Sequence, residues 1–303
     1  MRIRLILAFL SLAVLGACGG GSDGVRPVEF TSFSAVKPGQ TVTASGISQT
    51  QSVTQDSSGV VTAKQVNSPD SNASSANLTY GAGLPLTLTG LDIATPQSNL
   101  SWKDGRGSQT VSCGAQTCTA AGEGAAGVTI NALGSVAWNY QTFGYWLQNS
   151  SLGANVAGAI SIGNPTPVGG IPVSGTATYI GLSGGFYVDS SGVLNEQAAV
   201  MSAGVDFGQR TISFATTGTM SRPWGSTAAL VPAPLLNIAG PLNYAAGTNQ
   251  FTGAVTTTTM TGTAVGRFYG PGAQEIGGTY SMTNPNPSNT DESMIGGFGG
   301  KKP

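Results

Sequence analysis

No segment of this sequence sustains a helical period; where apolar residues recur, they alternate with Thr, Ser, Gly and Asn. Alternation places every second side chain on one face of a pleated strand, so such a chain buries its apolar half only by building sheets. The segments 40–55 ("QTVTASGISQTQSVTQ") and 59–66 ("GVVTAKQV") read as strands joined at Asp56-Ser57-Ser58-Gly59. "NLTYG" and "LPLTLTGL" are further short strands, and 127–148 is the strongest apolar-aromatic run of the first half. Low charge (8% of residues) and 46 glycines fit tight turns between strands. The recurring Val, Ile, Leu and aromatics separate the chain from disordered sequences of similar polarity.

Three prolines and three glycines gather in "GNPTPVGGIP" (163–172), a cluster that breaks regular structure and marks a domain junction. After it the alternation is clearer. Segment 173–181 is a strand. In 198–214, Met201, Ala203, Val205 and Phe207 share a face, as do Ile212 and Phe214 after a turn. Gly208-Gln209 fits a two-residue hairpin loop with glycine at positive φ. Segments 235–244, 250–270, 274–283 and 293–300 follow, bringing this half to about eight strands, a number that suits a closed antiparallel barrel without exposed edges. Glycines within these strands fit barrel corners. The expected fold class is therefore all-β: a β-rich domain over 30–166, then a soluble eight-stranded antiparallel barrel over 167–303.

One hairpin stands out, "GRFYGPGAQEIGGTY" at 266–280, because it concentrates charge and aromatics in a chain short of both. Parity settles its register. A two-residue loop at Pro271-Gly272 would set apolar Phe268 opposite acidic Glu275. A three-residue loop, Pro271–Ala273, sets Phe268 opposite Ile276 and Tyr269 opposite Glu275. The odd loop keeps like with like, with a glycine expected at its left-handed position. Arg267 then lies diagonal to Glu275, within reach of an ion pair. Gly270 and Gly272 serve the turn, and Gly277 and Gly278 a bulge or bend. Arg267, Tyr269 and Glu275 read either as a ligand site or as a structural hairpin with one surface ion pair. The structural reading asks for less, since exposed ion pairs are common and weak.

The N-terminus fixes the compartment. Arg2 and Arg4 precede an apolar run from Leu5 to Val14, then Leu15-Gly16-Ala17-Cys18. This is a secretory signal over 1–17, too short for a permanent span of about 20 residues. "LGAC" resembles the bacterial lipobox, which makes Cys18 the lipidated N-terminus. Gly19 rather than Asp after the cysteine favours the outer membrane, and 18–29, opening with "GGGSDG", reads as a flexible tether. An ordinary signal peptide with Cys18 merely nearby is the alternative. In an oxidising compartment the remaining pair, Cys113 and Cys118, reads as a disulfide closing a small loop. A metal site would need more ligands, and the chain has no histidine.

The hairpin's residues Phe268, Tyr269, Gly270, Pro271, Glu275, Gly277, Gly278 and Tyr280 resemble a motif in the C-terminal barrel of bacterial transferrin-binding protein B and its surface-lipoprotein relatives. Three further stretches resemble the same family in order: 171–181 its opening barrel strand, 205–213 its "VDF–x–x–(K/R)–T" hairpin, and 295–303 its final strand and basic end. "NYQTFGYW" (139–146) resembles the aromatic strand that precedes such barrels. The resemblance implies a barrel beside a β-rich handle domain, displayed on the outer membrane by a lipid anchor. It implies as partners a host iron- or haem-carrier protein or another extracellular ligand, and a surface-export translocon. Transferrin-binding members carry two such lobes and this chain has room for one, so no ligand-binding residue is carried over.

Function classes follow. The absence of a basic patch disfavours nucleic acid. Without histidine, Ser-His and Cys-His nucleophile systems are absent, and Asp206 and Glu275 each sit in a hairpin without a partner acid at defined spacing. No catalytic residue, metal ligand or cofactor is nominated. A non-enzymatic, ligand-binding surface lipoprotein leads. A purely structural envelope lipoprotein and a transmembrane β-barrel are the alternatives.

Overall fold

The computed structural model describes residues 27–57, 60–66, 70–84, 86–96, 99–106, 110–113, 117–122, 125–131, 138–149, 154–286 and 292–303. The signal segment, Cys18 and the tether up to residue 26 lie outside the described residues. Strands dominate, as the alternation requires.

Two sheets account for the strands of the described residues. The first contains β1 (Val28–Glu29), β2 (Thr41–Gln55), β3 (Val61–Val66), β4 (Asp70–Tyr80), β5 (Leu88–Ala94), β6 (Asn99–Lys103), β7 (Thr110–Cys113), β8 (Thr117–Gly122), β9 (Ala125–Asn131), β10 (Gln141–Asn149) and β11 (Ala154–Gly163). The strand order is β6-β5-β4-β2-β11-β10-β9-β8-β7, with β1 and β3 also paired to β2. The long strand β2 is the hub: it pairs with β11 along ten residues while β4 and β3 share its other edge. The sheet curls into a half-barrel around one core, which brings Leu91 and Trp102 from one end together with Val111 and Trp146 from the other.

The second sheet holds β12 (Thr176–Val188), β13 (Leu194–Asp206), β14 (Thr211–Pro223), β15 (Val231–Pro232), β16 (Ala239–Tyr244), β17 (Gln250–Thr256), β18 (Thr261–Tyr269), β19 (Glu275–Thr283) and β20 (Ser293–Lys301). Apart from the short β15, these eight strands pair in a ring: β12 with β20, then β19, β18, β17, β16, β14, and β13 back to β12. Every pairing is antiparallel. The expected closed eight-stranded barrel is the structure found.

The interior is filled. Met201, Ala203, Val205, Ile212 and Phe214 point inward together, as their alternation predicts, and join Tyr179, Phe251, Phe268, Tyr280 and Phe298 in one cluster. Phe268 is the hub of this core. Its ring centroid lies 5.3 Å from Tyr244, 5.5 Å from Phe251, 5.9 Å from Phe207 and 6.4 Å from Tyr179. Tyr280 points its hydroxyl at Ser183 and Gln197, and burial pushes its pKa up to about 12.

Two turn expectations need correction. Asp206 pairs with Thr211 as the two-residue loop implies, but the connection is the four-residue turn Phe207–Arg210. Arg210, not Gly208, takes the left-handed backbone, at φ 57°. The Asp206 carboxylate accepts the Gln209 amide at 2.9 Å and shapes this wider turn. Nor do Gly277 and Gly278 form a bulge: β18 and β19 pair without a break from Thr261↔Thr283 to Tyr269↔Glu275.

Truncating Phe268 to Ala should cost about 3–5 kcal/mol of barrel stability in denaturant unfolding. Thr263→Ala, on the exposed face of the same strand, should stay within about 1 kcal/mol.

Candidate functional site

The hairpin 266–280 has the odd register that parity selects. Phe268 pairs with Ile276, and Tyr269 with Glu275. The left-handed residues of its loop are Gly270 (φ 81°) and Ala273 (φ 55°); Gly272, the expected glycine, is not one of them. Phe268 and Ile276 enter the barrel core. Tyr269 and Glu275 face the other way, and there the surface-hairpin reading fails: both are buried, Glu275 at 3% exposure.

What covers them is the first sheet. The Glu275 carboxylate accepts three backbone amides in succession, from Asn139 at 2.6 Å, Tyr140 at 2.9 Å and Gln141 at 2.9 Å. Burial pushes the Glu275 carboxyl above its ordinary value; the three amides and the cross-strand neighbour Lys301 pull it back. Tyr269 lies against Ser161, its hydroxyl 3.0 Å from Ser161 Oγ and 3.1 Å from the Ser161 carbonyl. Burial pushes its pKa up to about 12.

The connection between the sheets is fastened to the same hairpin. Thr166 donates its amide to Phe268 O at 2.9 Å and its hydroxyl to Gly270 O at 2.6 Å, and Gly270 donates to Asn164 O. Gly277 and Gly299, paired across β19 and β20, clear the space above them for Gln141. A Cβ on Gly277 would come within 2.8 Å of Gln141 Oε1, and one on Gly299 within 2.3 Å of Gln141 Nε2. The paired glycines are a landing surface for a neighbouring sheet, which is why no bulge is present.

A second feature lies at the barrel end bearing this hairpin. A notch of about 120 Å³ opens between the connector 168–173, the turn after β13 and the turn after β16. Ile171, Phe207 and Tyr244 form its floor and walls; Arg210 and Val173 stand at its rim. Lys302 Nζ lies 5.4 Å from the Phe207 ring and 5.5 Å from the Tyr179 ring. Among the described residues no three His, Cys, Asp or Glu side chains converge on a metal position. Cys113 and Cys118 stand opposite each other as Cα partners on β7 and β8.

Residues 171–302 match the family described as the C-lobe and N-lobe beta barrels of Tf-binding protein B. This part of the chain is similar to those barrels. The matched span begins in the connector, covers every strand of the barrel and includes the hairpin and all of the notch lining but Val168.

Solved structures resembling the chain include transferrin-binding protein B variants. One from Haemophilus parasuis shares 15% identity at a TM-score of 0.46, over 79% of this chain and 52% of that one. The isotype 1 protein from serogroup B Neisseria meningitidis shares 16% identity at 0.42, over 78% and 53%. A surface lipoprotein shares 13% identity at 0.41, over 85% and 99%. The chain thus spans about half the length of the first two. No curated protein matches it.

The joint's role escaped the sequence reading because Glu275's partners lie 134 to 136 residues upstream and are main-chain groups, which no side-chain pattern reveals. Glu275→Gln should turn one acceptor into a donor facing amides and cost about 1–3 kcal/mol at the joint. Hydrogen exchange should then quicken at the amides of 139–141 while the inward strands of the barrel keep their protection.

Proposed function

We propose that this chain is an outer-membrane surface lipoprotein, anchored through Cys18, that binds an extracellular macromolecule without catalysis. The carrying observation is the sidedness of the barrel. Its interior is packed with phenylalanine and tyrosine, while the outer positions of β14, β17 and β18 carry Thr211, Ser213, Thr217, Thr252, Thr256, Thr261 and Thr263. A membrane-spanning barrel shows the reverse, an apolar outer band and a polar lumen. A filled barrel has no lumen for a solute, which leaves its loops and outer surface for recognition, as is common for loops on a rigid scaffold.

The family match supports a binding role, and the similar solved proteins are named for binding transferrin. The reading extends to a host iron- or haem-carrier protein as partner and to a translocon that exports the chain to the surface. A Cys113–Cys118 disulfide belongs to it as well; opposed cross-strand positions support the bond, since facing Cα atoms lie in its range.

Protease applied to intact cells tests the reading. The chain should be degraded without lysis, and Cys18→Ala should release it from the membrane fraction. Immobilised chain should retain a carrier protein from host fluid. Protection in intact cells would place it on the periplasmic face. Display without retention of any iron carrier, haem carrier or polysaccharide would favour a structural envelope role.

A further inference from the structure

We infer that the notch at the barrel end is an anchor site for an apolar side chain lying next to a carboxylate on a partner protein. The inference rests on the binding reading above and names the chemistry its partner must present.

Two independent observations meet here. First, the notch has the right size and lining. At about 120 Å³ it is close to the apolar cavity of roughly 150 Å³ that accepts one benzene ring. Its lining of Ile171, Phe207 and Tyr244 suits a ring or a branched aliphatic group. Val173 adds an apolar rim that is 87% exposed.

Second, Arg210 stands at the rim on left-handed backbone. Glycine or asparagine occupies such a position with little penalty, whereas a long side chain pays for it. Strain of this kind gathers at functional positions, where the side chain compensates for its backbone. The Arg210 carbonyl accepts the Tyr244 amide at 3.2 Å, which ties the cation to the wall of the notch. Lys302 adds a second positive charge behind Phe207. The nearby acid, Asp206, has one carboxylate oxygen committed to the Gln209 amide.

An apolar group with an adjacent carboxylate meets both features. It fills the notch and faces Arg210.

The probe is para-fluorohydrocinnamate, compared with the corresponding neutral alcohol, titrated into the full chain in lipid nanodiscs and followed by fluorine line broadening. The acid should bind about threefold tighter than the alcohol, the advantage of one partly exposed charge contact. Arg210→Gly, which suits the left-handed backbone, should bring the two probes level without lowering the melting temperature. Ala246→Trp, on the exposed turn lining the notch, should abolish binding of both. Equal binding of acid and alcohol by the unaltered chain, binding that survives Ala246→Trp, or no binding of either probe would each overturn the inference. The titration does not depend on cell-surface display. Failure at the notch therefore leaves the shaving and retention results standing, and their failure leaves the titration readable.

Discussion

The carboxylate of Glu275, closed under the amides of Asn139, Tyr140 and Gln141, is the interaction that joins the two halves of this molecule. A buried carboxylate is costly unless its oxygens are occupied. Three charge-assisted bonds to fixed main-chain donors meet that cost in a way one flexible arginine would not. The geometry also runs in the other direction. Tyr140 and Gln141 lead into β10, so the side chain that needs the amides sets where that strand begins against the barrel.

Around this point the seam mixes apolar and polar contact. Leu147, Ala157 and Ala159 of the first sheet pack with Phe186, Val188 and Ile295 of the barrel. Gln51 donates to Ser293 Oγ at 2.7 Å. Both amide atoms of Gln141, Thr279 Oγ1 and Ser281 Oγ are buried without a protein partner. Each such atom costs free energy that an apolar contact would not. The seam therefore combines position-specific bonds at its hairpin end with hydrophobic burial along the rest of its length. The paired glycines Gly277 and Gly299 serve the same end, since side chains there would hold Gln141 away from the barrel.

How much of this the sequence discloses depends on the range of the interaction. Alternation alone identified the inward faces of β13 and β14, because strand sidedness is a property of adjacent residues. Parity identified the Phe268↔Ile276 register, because only one register kept Glu275 out of the core. Local rules went wrong where a nearby side chain or a distant backbone intervened. Asp206 widened a turn that glycine seemed to define, which moved the left-handed position to Arg210. Gly277, assigned with Gly278 to a bulge or bend, instead clears space for Gln141, far upstream in the sequence. The notch was not legible at all, since it assembles from a connector and two turns that share no sequence pattern.

The placement of charge suggests why the two features share one end of the barrel. Arg210, Arg267, Lys301 and Lys302 all lie in or next to the strand ends that carry the hairpin, in a chain with few charges. Glu275 and Asp206 are the acids among them, and each is committed, one to the joint and one to its own turn. The joint thus removes negative charge from the surface at this end of the barrel. Sealing Glu275 beneath the first sheet fastens the two halves together and leaves Arg210 as the charged residue lining the apolar notch. The residue that organises the joint thereby also shapes the electrostatics at this end of the barrel.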